Sequence, residues 1–299
     1  MKKRKVLLSA LVLCGCMLIG AGAADAASQT QLTRQAITHF QQSPPEKDTS
    51  YPEHTAWKSW QMDNCEVLPC RLIEEKDIWK LIFTPSDYSS RWVCAVDLSA
   101  GTIVTPLFDG LDGQIWKCAD DQLLLEHSDT YQLCDLNGSL TDISIPHAGH
   151  VLAVDDQGYV LCQYPVTRTV RTDSGTMPYT FHQYTLLGPD FTVLQDGIDQ
   201  YYNVGQYDYS CDSELFYNGL VAVRVGATDW YLPDGGPWPR LYFNSKYMFI
   251  DRSGKTVSSS RYDEVSHEND RWFGCHGTTE YLLDSNGNER EQANYCYVP

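Results

Sequence analysis

Between Tyr247 and Gly287 the chain writes one pattern twice: an aromatic and apolar run, then Asp-x-x-Gly. The first copy is Tyr247-Met248-Phe249-Ile250-Asp251-Arg252-Ser253-Gly254, and the second closes Tyr281-Leu282-Leu283-Asp284-Ser285-Asn286-Gly287. Aromatic and β-branched residues suit a pleated, half-buried strand. An aspartate at the head of a turn bonds backbone N–H groups just ahead of it, and a glycine three places on accepts a positive φ. Each copy therefore predicts an antiparallel strand running into a tight turn. Asp284, Asn286 and Asn288 also hint at a calcium loop, but the glycine is misplaced for an EF-hand and no bidentate acid follows.

Upstream the pattern recurs with variations. Trp79–Phe83 and Trp92–Asp97 form one pair of runs, Ile115–Leu125 and Tyr131–Gly138 the next, and His150–Leu161 and Tyr184–Phe191 follow. Asp-Asp-Gln appears at 120 and again at 155, flanked by similar strands. Units begin near Trp79, Ile115, Val151, Leu215 and Arg271, and the gap from Leu187 to Leu215 holds either a sixth or a long loop. One such small sheet cannot bury both faces alone, whereas stacked neighbours can. The expected fold is all-β: a propeller-like repeat of five to six small antiparallel sheets with a short N-terminal helix. A pair of packed β-sheets is the alternative. Asp97, Asp135, Asp251 and Asp284 are each expected at a turn following a strand.

Asn218-Gly219-Leu220-Val221-Ala222-Val223-Arg224, then Tyr247 to Lys255, then Tyr262-Asp263-Glu264 resembles the WG-repeat (KWG) family. Its unit carries a Gly-Leu-Ala-x-Val strand, a Trp/Tyr-Gly-Phe-Ile-Asp-x-x-Gly-Lys hairpin and a Tyr-Asp pair. The likeness covers about residues 215 to 290, and Tyr247-Met248 stands where the family has Trp-Gly. The resemblance implies an extracytoplasmic bacterial β-repeat interaction protein with a propeller-like fold, and implies no catalytic residues.

Residues 1–26 form a targeting segment: basic Lys2, Lys3, Arg4 and Lys5, an apolar run, and Ala24-Asp25-Ala26 as the cleavage signal. Leu13-Cys14-Gly15-Cys16 opens a second reading, lipidation at Cys16. An uncleaved anchor is a third. Residues 27–52 are expected as helix and linker, with Leu32, Ala36, Ile37 and Phe40 on one face and Pro44-Pro45 as the stop. That helix reads as a packing appendage or tether, and residues 53–299 as the β-repeat domain. The formal net charge is −17, and losing residues 1–26 removes four bases against one acid. So acidic a chain repels phosphate backbones and anionic membrane surfaces, which argues against nucleic-acid partners. Membrane contact is expected only through the N-terminal segment.

Eleven cysteines suit export, the nine after residue 26 leave at least one unpaired within a monomer, and Cys65 and Cys70 around Pro69 are expected to bridge, while Cys275 and Cys296 are one option for tying down the C-terminus. No Cys-x-x-Cys is present, nor His-Glu-x-x-His, Gly-x-Ser-x-Gly or a phosphate-cradling glycine loop. His147-Ala148-Gly149-His150 lies in a loop with no third ligand to name. No catalytic or metal-binding residue and no cofactor is assigned. The stretch from Gly226 to Arg240 interrupts the repeat and is longer than a hairpin needs. Its prolines restrict it, so Trp230, Tyr231 and Trp238 are expected on a binding rim for a protein or carbohydrate partner. The expected function is an exported, non-catalytic binding or scaffolding module of the cell surface or envelope. The alternative is a secreted carbohydrate-active hydrolase using two carboxylates.

Overall fold

The computed structural model describes residues 27–47, 57–88, 90–110, 113–127, 130–202, 215–234 and 240–295. Residues 1–26, including Cys16, lie outside the described residues, as do Trp238 and Cys296. Among the described residues the chain is mostly strand, in four sheets that are antiparallel but for one parallel bridge. No helix among them is long and apolar enough to cross a membrane.

The first sheet runs β1 (Trp60–Met62), β2 (Cys65–Ile73), β3 (Ile78–Pro85), β4 (Trp92–Asp97) and β5 (Thr102–Ile103), with β6 (Phe108–Asp109) pairing β4. The second is a meander of β7 (Gly113–Lys117), β8 (Leu123–His127), β9 (Thr130–Cys134) and β10 (Leu140–Ile143). The third contains β11 (His150–Val154), β12 (Val160–Thr172), β13 (Gly175–Leu187), β14 (Val193–Tyr201), β15 (Leu220–Val225), β16 (Trp230–Tyr231), β17 (Tyr242–Phe243) and β18 (Tyr247–Asp251). Its order is β17–β16–β12–β13–β14–β15–β18, and β11 pairs β12. The fourth is β19 (Glu264–Glu268), β20 (Arg271–His276), β21 (Thr279–Leu283) and β22 (Glu289–Tyr295). The expected units near Val151 and Leu215 share the third sheet, because β14 pairs β15 from Ile198↔Val225 to Tyr201↔Val223. By compactness the chain divides into a unit up to Ile115 with Cys134–Leu140, and a unit of Trp116–Leu133 with Thr141 onward.

The aspartate turns form as expected. In each, one carboxylate oxygen accepts two backbone N–H groups: Asn137 and Ser139 on Asp135, Ser253 and Lys255 on Asp251, Asn286 and Asn288 on Asp284. Asp97 accepts one backbone N–H, from Ala100, and the Ser99 hydroxyl, and Asp155 adds a further copy of the two-N–H pattern with Gln157 and Tyr159. Hydrogen bonds from these N–H groups stabilise the ionised form. They hold the Asp135 and Asp284 carboxyls below the usual range, and Ser253 does so first for Asp251. Asp155 is the exception. It is buried, and desolvation outweighs the same bonds and raises it.

At three of these turns the closing glycine sits tight against an earlier strand or loop. A Cβ on Gly158 would lie 2.7 Å from Ala119 N, on Gly254 2.7 Å from Leu194 O, and on Gly287 2.6 Å from the Phe249 ring. The repeat thus requires glycine twice over, for its positive φ and for the close approach. Asp120-Asp121-Gln122 differs from its look-alike at 155. With Leu123 where a glycine would stand, Asp120 and Asp121 themselves take positive φ in a 3-10 turn closed by Cys118 N–H on Gln122 O.

The Tyr262-Asp263 pair has a structural job. Tyr262 is wholly buried, its hydroxyl donates to Gly287 O at 2.9 Å, and Gly274 leaves room for its ring. Asp263 accepts Gly277 N–H at 2.9 Å and pairs with Lys246 at 3.1 Å.

In the first unit residues 27–42 are helical, and the helix is more than an appendage. Ala36, Ile37 and Phe40 are buried in one cluster with Val67, Trp79, Leu81, Cys94 and Val96. Phe40 lies 4.3 Å from the Trp60 ring, and Gln41 donates to Leu98 O at 2.8 Å. Sheet one, buried on its inner face by this helix, has the apolar cover a lone sheet lacks.

The expected Cys65–Cys70 bridge does not form. Both lie on β2, where they oppose Pro85 and Cys70's partner Lys80 on β3. Five residues of strand put them about 16 Å apart on opposite faces, beyond a disulfide's reach. The proline between them is accommodated inside the strand and makes no loop. Cys275 is disulfide-bonded. Burial pushes the Cys94, Cys118 and Cys162 thiols up to about 12. At pH 8 these three are therefore expected to resist alkylation in the native protein and to react once denaturant is added, read by mass spectrometry. Rapid labelling of any of them without denaturant would contradict that burial.

Candidate functional site

The longest strands among the described residues were not foreseen. β12 and β13 pair without a break from Val160↔Leu187 to Thr172↔Gly175, making a ribbon of thirteen residues a side. Period two sorts its side chains. One face carries Cys162 and Thr185, Tyr164 and Gln183, Val166 and Phe181, Arg168 and Tyr179, and Val170 and Met177. The other carries Thr167 and Thr180, Thr169 and Pro178, and Arg171 and Thr176, all exposed.

The long loop after Gly226 folds back onto this ribbon. Ala227 N–H donates to Asp199 at 2.9 Å, and Asn244 accepts the Thr228 and Asp229 N–H groups. Asp229 takes Arg171 in a bidentate pair, with Nε at 2.9 Å and Nη2 at 2.6 Å. Leu232 N–H donates to Arg171 O at 2.8 Å, the Tyr231 hydroxyl donates to Asp173, and Ser174 N–H donates to Asp234 at 3.0 Å. Trp230-Tyr231 thereby becomes β16, bridged to Arg171 on one side and to β17 on the other.

Adjacent residues of a strand point to opposite faces, so the expected rim divides. Trp230 turns to the Phe181 side, 6.1 Å from that ring, with the Arg168 guanidinium 5.7 Å above it. Its indole N–H is buried without a partner. Tyr231 turns the other way, stacks with Tyr242 at 6.2 Å and 26°, and carries the Arg171 guanidinium at 5.6 Å. Trp230 and Tyr231 are both half-buried, while Tyr242 is 43% exposed. The structure therefore does not put Trp230 and Tyr231 on one surface. It builds a two-tyrosine platform instead, and Tyr242 was missed. Leu241-Tyr242-Phe243 reads as an unremarkable short apolar run, and only its pairing with β16 reveals the stack.

A second cluster gathers at the base of the ribbon. The turn Pro146–Ala148 places His147 and His150 so that each meets a carboxylate from a different strand. His147 Nε2 lies 3.0 Å from Asp196 on β14, and His150 Nδ1 lies 3.0 Å from Glu126 on β8. Asp196 also accepts Thr185 Oγ1 at 2.6 Å and the Tyr164 hydroxyl at 3.3 Å, and Tyr164 stacks under the His147 ring at 4.3 Å. Glu126 is 4% exposed and also accepts Val151 N–H at 3.3 Å. Burial raises the Glu126 carboxyl against the bonds from His150 and Val151. At Asp196 burial pulls the same way, but the bonds from Thr185 and His147 win and hold it low. Among the described residues no group of three or more His, Cys, Asp or Glu side chains is placed to hold a metal ion.

No family model matches the chain, and no curated protein matches it.

Proposed function

We propose that this chain is an exported binding module of the cell surface or envelope, of the WG-repeat kind, with a saccharide or protein surface as its ligand. The Tyr231–Tyr242 stack carries the reading. It is an aromatic pair, one ring well exposed, held at the end of a stiff ribbon by an Arg171–Asp229 pair and the Asp173 and Asp234 bonds. Such rings offer flat apolar faces with polar edges, and prior ordering lowers the entropy lost on binding. The basic head and A-x-A site of residues 1–26 support export, and the acidic surface argues against phosphate-rich partners.

The test is a glycan and peptidoglycan array probed with the chain from residue 27, followed by titration of whatever is retained. Tyr231→Ala and Tyr242→Ala are each expected to weaken binding about tenfold or more, the scale of an interface hot spot. Trp230→Ala is expected to act mainly on folding, since that ring packs against Phe181. Undiminished affinity in a folded Tyr231→Ala/Tyr242→Ala double variant would place the site elsewhere.

A further inference from the structure

We propose that the ligand of this module is a neutral polysaccharide chain, bound along the exposed face of the β12–β13 ribbon and anchored at one end by the two tyrosines. The inference rests on the binding reading above and extends it, from a two-ring patch to a strip and from two ligand classes to one. Strand register draws the strip. Tyr242 pairs Tyr231, Tyr231 pairs Arg171, and Arg171 pairs Thr176, so one row crosses β17, β16, β12 and β13. Directly paired residues point to the same face, and period two carries that face on down the ribbon. It runs through Thr169 and the Thr167–Thr180 pair to Pro165 and His182. Every residue of it is exposed except the half-buried Tyr231. The strand from Pro165 to Arg171 makes the long arm about 20 Å, and the interstrand steps make the row about 14 Å.

The rings close one end of this strip as a stack. The Arg171 guanidinium lies over Tyr231 at 5.6 Å, and Tyr231 stacks on Tyr242 at 6.2 Å. Tyr242 ends the stack on the edge strand of its sheet and is 43% exposed. Such a ring offers an apolar face to the C–H side of a sugar.

Charge selects the sign of the ligand. The chain carries 39 acidic residues, yet none stands on this face. The carboxylates nearest the rings are engaged by the protein itself: Asp229 by Arg171, Asp173 by the Tyr231 hydroxyl and Asp234 N–H, and Asp234 by Ser174 N–H. Arg171 is neutralised by Asp229 and offers no unmatched positive charge to an anionic polymer, while Asp173 and Asp234 repel one. Composition separates glycan from protein. Beyond the rings the strip carries no Leu, Ile, Met, Phe or Trp, and threonine is under-represented among the residues that anchor protein interfaces. Each threonine hydroxyl both donates and accepts, as sugar hydroxyls do. The 2.8 Å bond between Thr167 and Thr180 uses only part of that capacity.

The experiment titrates the chain from residue 27 with neutral cello-, xylo- and chito-oligosaccharides, dimer to hexamer, and with oligogalacturonate as the anionic counterpart. One neutral series is expected to bind, its hexamer about tenfold tighter than its dimer, as two further hydrogen bonds of ordinary strength would give. Oligogalacturonate is expected not to compete. Thr167→Ala/Thr180→Ala and Thr169→Glu are each expected to weaken the hexamer about fivefold and to leave the dimer unchanged, while Tyr242→Ala weakens both. Thermal melts confirm that the variants fold, and two independent ribbon variants guard against the loss of one. A hexamer that binds no tighter than the dimer, or that folded ribbon variants bind as the wild type does, overturns the strip and leaves the tyrosine platform standing. Preference for the anionic polymer, or binding of no neutral series, overturns the ligand assignment. A protein partner lost in Tyr231→Ala/Tyr242→Ala would then keep the module reading alone.

Discussion

Replacing Gly254 by alanine is expected to cost about 3 kcal/mol of stability, because two penalties add at that position. Gly254 has φ +78°, and a Cβ there would meet Leu194 O at 2.7 Å and Leu194 Cβ at 3.0 Å. A backbone oxygen inside a sheet cannot rotate aside, so the strand β14 or the turn must shift. Gly277 separates the two penalties: its φ is +56°, but nothing lies within 4 Å of its virtual Cβ. Gly277→Ala is therefore expected to cost only about 1 kcal/mol, the left-handed term alone. Urea unfolding of both variants measures the difference. Equal losses would mean that the aspartate turn is not braced against the preceding strand, and the account of repeat stacking would fall with it.

Phe40→Ala is expected to destabilise the first unit by about 3–5 kcal/mol, the usual range for truncating a buried aromatic. Phe40 is 3% exposed, lies 4.3 Å from Trp60 and 6.3 Å from Trp79, and shares their cluster with Ala36 and Ile37. Thr38→Ala, one face away and exposed, is expected to change stability by less than about 0.5 kcal/mol. Chemical denaturation followed by tryptophan fluorescence reads both. A loss below about 1 kcal/mol for Phe40→Ala would return the helix to the status of a tether.

The histidine–carboxylate contacts and the Tyr231–Tyr242 stack both depend on the β12–β13 ribbon, and the ribbon is why neither was legible in full. Alternation from Tyr164 to Val170 is present in the sequence, with Val166 and Val170 set between Thr167, Thr169 and Arg171. It lacks the aromatic density and the Asp-x-x-Gly ending that marked the other strands. The two histidines were visible as a pair, but a spacing of three in a loop carries no information about what faces them. Glu126 is 24 residues away in the chain from His150, and Asp196 is 49 from His147.

What the sequence determined by itself were the local rules. Asp251 and Asp284 head turns because a carboxylate next to free N–H groups bonds them whatever lies further off, and Gly254 and Gly287 follow because few residues other than glycine accept the required φ so readily. The β class, the strand starts and the apolar face of the helix follow from period and propensity in the same way. Tertiary structure alone decided which units joined in one sheet, that Pro69 and both flanking cysteines lie along a single strand, and that Trp230 and Tyr231 part company. Those outcomes depend on register between strands distant in the chain, and a shift of one residue would exchange every inward side chain for its outward neighbour.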